Sequence, residues 1–287
     1  MTQTMERMLP LYEAKMLDAY DHRDADVYKS TTAEKRQNQP RYLTDQEKAD
    51  PDREVIPLYW VREETLPADL PKWLTGFSNV TSATNERTML SAAMPRAGVG
   101  HSYPLYFGEP HGLLLAVFNS FIFDYLAKLK VAGLNFSYFY LRQLPVPVPE
   151  SLARKCPWSQ GTIEQWLAER VARLSCTSWS MVDTARDLTG KRQVFRWDQS
   201  ERFSVRCEID AAMFHLYGLP RDDVEHIMDT FRIVREDDEA AHGEYRTKRI
   251  ILNIYDAMQR AIDSGVDYEP IVDLPPLEVS PDEGRRP

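Results

Sequence analysis

The apolar positions are patterned most clearly over residues 112–130, where Leu114, Val117, Phe118, Phe121, Ile122, Tyr125 and Leu129 recur at three- and four-residue spacing. That spacing predicts one amphipathic helix with its stripe turned to a core. Lys128 and Lys130 stand in its last turn, where cations suit the helix dipole. Asn119, Asp124 and Lys128 interrupt the apolar run, so it reads as a buried helix and not a bilayer span.

Upstream, the pattern is shorter and richer in β-branched and aromatic residues. Residues 55–61 (VIPLYWV) and 73–80 (WLTGFSNV) predict strands, with Pro57 placing the first at an edge or a strand start. Residues 84–94 read as a strand or short helix stopped by Pro95, and residues 98–101 as a turn. Residues 135–141 (NFSYFYL) read as an aromatic strand. Residues 1–56 are polar, with a mixed element over 9–20, a charged excursion over 29–54 and a loop at 37–40.

Past residues 144–149 (LPVPVP), an extended exit that suggests a domain boundary, the period becomes helical. Thr162 and Gln165 form a capping-box pattern. Ser200 is placed to cap a second helix, with Gly218 after its end, and Asp222 or Asp223 a third. A last helix over 244–264 has Ile250, Ile251, Ile254, Tyr255, Met258 and Ile262 on its inner face. The tail from Pro270 is Pro-rich and reads as loose. The expected fold is therefore α+β: a mixed domain over 1–150, with short strands around a buried helix, then a mainly helical domain over 151–287.

The 287 residues suffice for a sizeable core. Three separated cysteines, Cys156, Cys176 and Cys207, suggest neither a disulfide framework nor a zinc site. The N-terminus carries charges where a signal peptide needs an apolar stretch, so a reduced, cytoplasmic compartment without membrane attachment is expected. Net charge is −9; residues 1–150 carry 16 Lys/Arg against 19 Asp/Glu and the remainder 19 against 25. A nucleic-acid role must then rest on local cation clusters.

Several chemistries are missing from the sequence. It contains no Asn-Pro dipeptide, hence no Asn-Pro-Pro-aromatic methyltransferase motif, and Gly98-Val99-Gly100 is too short for a cofactor loop. Pro51-Asp52 is followed by no acidic-x-Lys pair, and Glu13-Ala14-Lys15 precedes it, which breaks the nuclease order. His22-Arg23-Asp24 imitates a kinase tripeptide, but position 29 is Lys where Asn is needed. The histidines show no metal-ligand spacing; His215 falls in an amphipathic helix, and His101 and His111 flank a loop.

An ordered set of segments resembles a known family. They are residues 9–23 (LPLYEAKMLDAYDHR), 57–61 (PLYWV), 73–95 (WLTGFSNVTSATNERTMLSAAMP), 119–149 (NSFIFDYLAKLKVAGLNFSYFYLRQLPVPVP), 208–219 (EIDAAMFHLYGL) and 228–255 (MDTFRIVREDDEAAHGEYRTKRIILNIY). Together they resemble the C-terminal target-recognition region of type IIG-like restriction–modification adenine methyltransferases, the DISARM phage-defence enzymes among them. The resemblance implies a module that reads double-stranded DNA beside a methyltransferase domain in cis or in trans. It implies no catalytic residue or cofactor in this chain; S-adenosylmethionine would belong to the catalytic domain.

Base reading needs Arg, Lys, Asn or Gln side chains, and phosphate anchoring needs cations and small polar groups. The residues so nominated are Asn85, Arg87 and Arg96, flanked by Thr84 and Thr88, and then Lys128, Lys130 and Arg142, with Asn135 and Tyr138. Lys15, His22 and Arg23 form a further cluster, and Arg246, Lys248 and Arg249 another, suited to phosphate or to docking a partner domain. Phe136, Tyr138, Phe139 and Tyr140 offer faces for an extruded base or, for alternate residues of a strand, core contacts. The acidic balance supports a rival expectation, a non-catalytic interaction or scaffold subunit of a phage-defence complex.

Overall fold

The computed structural model describes residues 6–34, 37–108, 110–131, 133–271 and 274–277. The fold is α+β, with three small sheets in the first half and helices in the second. Strand β1 (Met8–Tyr12) starts a tight turn through a 3-10 segment (Ala14–Met16). A hairpin of β2 (Ala25–Lys29) and β3 (Asn38–Tyr42) follows, then a short helix α1 (Asp45–Lys48). The charged excursion over 29–54 is therefore largely ordered. Its loop at 37–40 lies mostly in β3, with Pro40 opposite Val27 on a two-stranded ribbon, where a missing N–H is tolerated.

Of the strand expected over 55–61, only its end forms, as β4 (Trp60–Arg62); Pro57 withholds a donor, and the preceding residues run extended. β5 (Trp73–Phe77) is buried throughout and central in its sheet. It pairs antiparallel with β6 (Ser91–Pro95) and β8 (Leu105–Tyr106), both paired sides matching a continuous apolar strand. Only the end of the element expected over 84–94 is regular. Residues expected to turn at 98–101 begin as β7 (Gly98–Val99), parallel to the end of β1. Glycine is needed there, because a Cβ at Gly98 would lie 2.8 Å from Val61 Cγ2.

The single helix expected over 112–130 is two, α2 (His111–Phe118) and α3 (Phe121–Lys130), meeting at 68°. Ser120 starts the second by accepting Phe123 N–H at 3.3 Å, while its own hydroxyl donates to Val117 O at 2.7 Å. The aromatic strand expected over 135–141 is instead one bridge, Val80 to Asn135, followed by a helical turn α4 (Tyr138–Leu141). The aromatic run lacks cross-strand partners, so its β preference has nothing to act on.

A further turn, α5 (Pro149–Leu152), leads into α6 (Ile163–Ser175), which carries the expected capping box at Thr162 and Gln165. Then come a 3-10 turn (Trp179–Met181), α7 (Val182–Thr189), α8 (Gln199–Leu216), α9 (Arg221–Asp229), α10 (Arg232–His242) and α11 (Arg246–Ser264). Asp198, and not Ser200, caps α8, accepting Glu201 N–H at 2.7 Å. Pro220 occupies the cap position of α9, leaving Asp222 and Asp223 in its first turn. Ile262 is exposed and Ile250 half-buried, so the inner face of α11 is narrower than the sequence pattern suggests. Leu277 in the Pro-rich tail pairs with Val194. No single helix among the described residues is long and apolar enough to cross a membrane.

α8 is the axis of the fold, with α3, α6 and α11 packed around it. One core holds Trp73, Phe118, Phe123, Leu167, Phe214 and Ile251 together, so it runs across residue 150. A second core, around Tyr12, Met16, Leu74 and Met94, lies between the N-terminal turn and the sheets. All three cysteines are buried thiols.

Arg23 ties the N-terminal half to the helices. Its side chain is wholly buried; Nη1 donates to Asp50 O and Arg53 O at 2.8 Å each, and Nη2 to Lys48 O at 2.7 Å, Thr177 O at 2.9 Å and Thr177 Oγ1 at 3.0 Å. Replacing Arg23 by Met strips these carbonyls of their donor inside the protein. The expected loss is about 3–5 kcal/mol, the range for breaking a buried charged network. Urea unfolding reads it directly, and a loss below about 1 kcal/mol would show that water or neighbouring groups take over the carbonyls.

Candidate functional site

The six nominated residues separate into two kinds. Arg87 Nε donates to Asp124 Oδ2 at 3.2 Å and Nη2 to Asn119 O at 2.5 Å, with the guanidinium over Phe121. Lys128 Nζ donates to Glu86 O at 2.9 Å and lies 4.2 Å from the Phe231 ring centre. Burial lowers the Lys128 pKa, and Asp124 opposes that. Arg96 donates to the carbonyls of Leu70 and Pro67. These three cations brace the fold. Asn85, Lys130 and Arg142 are exposed, and Lys130 and Arg142 make no ion pair with another described residue.

Asn85 lies in one of two loops zipped together, and Lys130 and Arg142 lie at the ends of α3 and α4 on either side of the other. Thr81 N–H donates to Leu134 O at 3.0 Å and Phe136 N–H to Asn79 O at 2.8 Å. Asn85 leans on Thr81 through a 3.5 Å contact between Nδ2 and Oγ1. Tyr138 donates to Leu105 O, tying α4 to β8. Phe136 is buried and meets Phe77 edge-on, so it serves the core, whereas Phe139 is 71% exposed. Val80, which pairs with Asn135, and Leu129 and Leu134 are exposed as well.

The other nominated clusters are mostly committed to partners within the protein. His22 and Arg23 are fully buried, and Lys15 contacts Glu13 and Asn38 O. Arg249 pairs with Glu244, Lys248 with Glu225 and Asp229, and Arg246 lies over Phe203. His215 stacks on Tyr255 with ring centres 3.9 Å apart, a packing role.

Two cavities flank the zipped loops and the N-terminal turn. The larger, about 820 Å³, runs beside β1 and is lined by Trp60, Arg96 and Trp179. His22 lies behind it, with Nε2 3.1 Å from Ser178 Oγ and 3.5 Å from Glu54 Oε2. Hydroxyl and carboxylate meet the same ring nitrogen, and Nδ1 is unpartnered. A hydrolytic triad needs them on opposite nitrogens, so this is a buried polar cluster and not a nucleophile–base pair.

The smaller cavity, about 320 Å³, opens between Tyr20, the loop bearing Asn85 and Arg87, and α8. Tyr20 has φ 61°, the one non-glycine positive φ among the described residues. It sits in a turn closed by reciprocal Asp18–Asp21 backbone bonds of 2.9 and 3.0 Å. Asp210 reaches the cavity from α8. Its Oδ1 accepts Phe121 N–H at 2.7 Å. Burial pushes its pKa up to about 7, against the pull of Arg87 and Arg206. Sequence reading passed over Tyr20, Arg206 and Asp210. The one available signal was a carboxylate on the otherwise apolar face of 208–219.

Compared with known proteins, the chain matches no family model, no curated protein and no solved structure.

The folded pKa of Asp210 lies above its ordinary 3.8, so the native state keeps a proton that the unfolded chain releases. Stability therefore falls as pH rises from about 4 to about 7 and stays reduced above that. Asp24, raised to about 6 mainly by burial, acts in the same window, so the two effects are separated by a variant. Asp210→Asn preserves the acceptor for Phe121 and removes the titration. The stability of the variant relative to the parent is expected to rise by about 1–3 kcal/mol between pH 4 and pH 8. Urea midpoints at the two pH values measure it; a pH-independent difference would contradict the assignment.

Proposed function

We propose that this chain is the DNA sequence-recognition and C-terminal module of an adenine-specific DNA methyltransferase of a restriction–modification or phage-defence system. It works with a catalytic domain in cis or in trans, and S-adenosylmethionine and methyl transfer belong to that domain. The observation that carries the reading is that Asn85, Lys130 and Arg142 are exposed, as are Leu134 and Phe139, on or next to two segments hydrogen-bonded to each other, while Arg87 and Lys128 anchor the loop from within. Lys130 and Arg142 suit phosphates, Asn85 suits an adenine edge, and Phe139 suits insertion or stacking at an opened base step. The segments of the family resemblance also interlock, because 73–95 is hydrogen-bonded to 119–149 and the latter to Asp210 within 208–219.

Fluorescence anisotropy with a random-sequence duplex, titrated across salt, tests the reading. The double change Lys130→Ala with Arg142→Ala is expected to weaken binding and to lower the slope of log K against log salt by about 2, one released counterion for each phosphate contact. Asn85→Ala is expected to leave that slope unchanged. An unaltered slope in the double variant, or no duplex affinity at low salt with or without the catalytic partner, would remove DNA recognition and leave the scaffold role.

A further inference from the structure

The 320 Å³ cavity is lined by charged side chains, Arg206 and Asp210 among them, that form no ion pair with each other. Arg206 and Asp210 stand one turn apart on α8 and both face it, a spacing at which opposite charges ordinarily pair. They make no ion pair with each other, and Arg206 has no hydrogen bond or ion pair with any described residue. Asp210 is 95% buried, and its second oxygen, Oδ2, has no hydrogen-bond partner among the described residues. Asp18 and Glu86 add two carboxylates whose oxygens are likewise unbonded there. Leu90, Phe121, Phe203 and Val234 give the wall its apolar part, and Tyr20, Asn85, Arg87, Asn119 and Thr247 also line it, Arg87 being paired with Asp124.

We propose that this cavity binds a small zwitterion of the α-amino-acid class with an apolar side chain. Its carboxylate pairs with Arg206, its ammonium is held by Asp210 Oδ2 with Asp18 and Glu86 in support, and its side chain lies against Phe121 and Phe203. The charge pattern selects this class by elimination. A phosphate or other anion would meet the carboxylates of Asp18, Glu86 and Asp210, with Arg87 already committed to Asp124. A simple cation would leave the half-buried Arg206 without a counterion. A neutral nucleobase would leave both charges unpaired at the cost of covering them. Only a ligand carrying both signs within a few ångströms compensates both poles, and a volume of 320 Å³ suits a molecule of that size. Asn85 lines this cavity, but the proposed phosphate contacts Lys130 and Arg142 do not, so the salt slope of duplex binding and the amino-acid titration can fail independently.

Isothermal titration calorimetry on the full chain, with L-phenylalanine, L-leucine and L-methionine as probes, tests it. 2-Phenylethylamine lacks the carboxylate and 3-phenylpropanoate lacks the ammonium. At least one amino acid is expected to bind, and for L-phenylalanine each half-ligand is expected to bind at least about tenfold more weakly, since a charge-assisted hydrogen bond is lost. Arg206→Gln is expected to lower amino-acid affinity about tenfold or more while leaving 2-phenylethylamine affinity near that of the parent. Should this variant misfold, the half-ligand comparison on the parent chain decides. A half-ligand as tight as the amino acid, adenosine or S-adenosylmethionine binding more tightly than any amino acid, or no heat with any amino acid would overturn the proposal, the last leaving a water-filled cavity.

Discussion

The break between α2 and α3 is held by side chains that do the work of backbone. Asn119 joins Ser91 in both directions, accepting Ser91 N–H at 2.9 Å and donating to Ser91 O at 2.8 Å, as a neighbouring strand would. One turn on, the fully buried Asp124 accepts the N–H groups of Thr88 and Met89 at 2.8 and 2.6 Å and pairs with Arg87. The backbone of 88–91 thus finds partners without a further strand, as a buried segment must. The loop bearing Asn85, the edge of β6 and the mouth of the smaller cavity all take their positions from this brace. A carboxylate and an amide satisfied this fully are costly to disturb, because each lost partner leaves a buried polar group.

This brace also explains what the sequence conceals. The three- and four-residue period over 112–130 is real, since Val117, Phe118, Phe121 and Ile122 are all core residues. It does not reveal that the side chains of Asn119 and Ser120 bond Ser91, Val117 and Phe123, because a period carries no information about such partners. The capping box at Thr162 and the end of α8 just before Gly218 were legible because cap chemistry is local. The strand at Gly98 and the helical turn at Tyr138 were not, because pairing across 87 residues and the lack of a strand partner are tertiary facts. The burial of His22 and Arg23 was hidden for the same reason: a charged tripeptide gives no sign that five acceptors await one guanidinium.

The same division runs through the candidate site. Residue type nominated Arg87, Lys128 and Arg96 for DNA, and each instead braces local backbone or a buried carboxylate. Lys130, Arg142 and Asn85, chemically indistinguishable from them in sequence, remain outward. Internal pairs such as Asp21 with Lys48, Glu208 with Arg170 and Glu201 with Arg173 cancel in the net charge, so the excess of −9 is carried by the remaining side chains. What counts for a duplex is the local field around the exposed Lys130 and Arg142. Rigid bracing behind them lowers the entropy of presenting them, the usual advantage of a preorganised surface.

Amide hydrogen exchange, followed with and without a short duplex at low salt, tests the central claim most directly. The account predicts added protection in residues 80–86 and 129–142, with α9 to α11 unchanged. Protection confined to the C-terminal helices, or none anywhere, would contradict it.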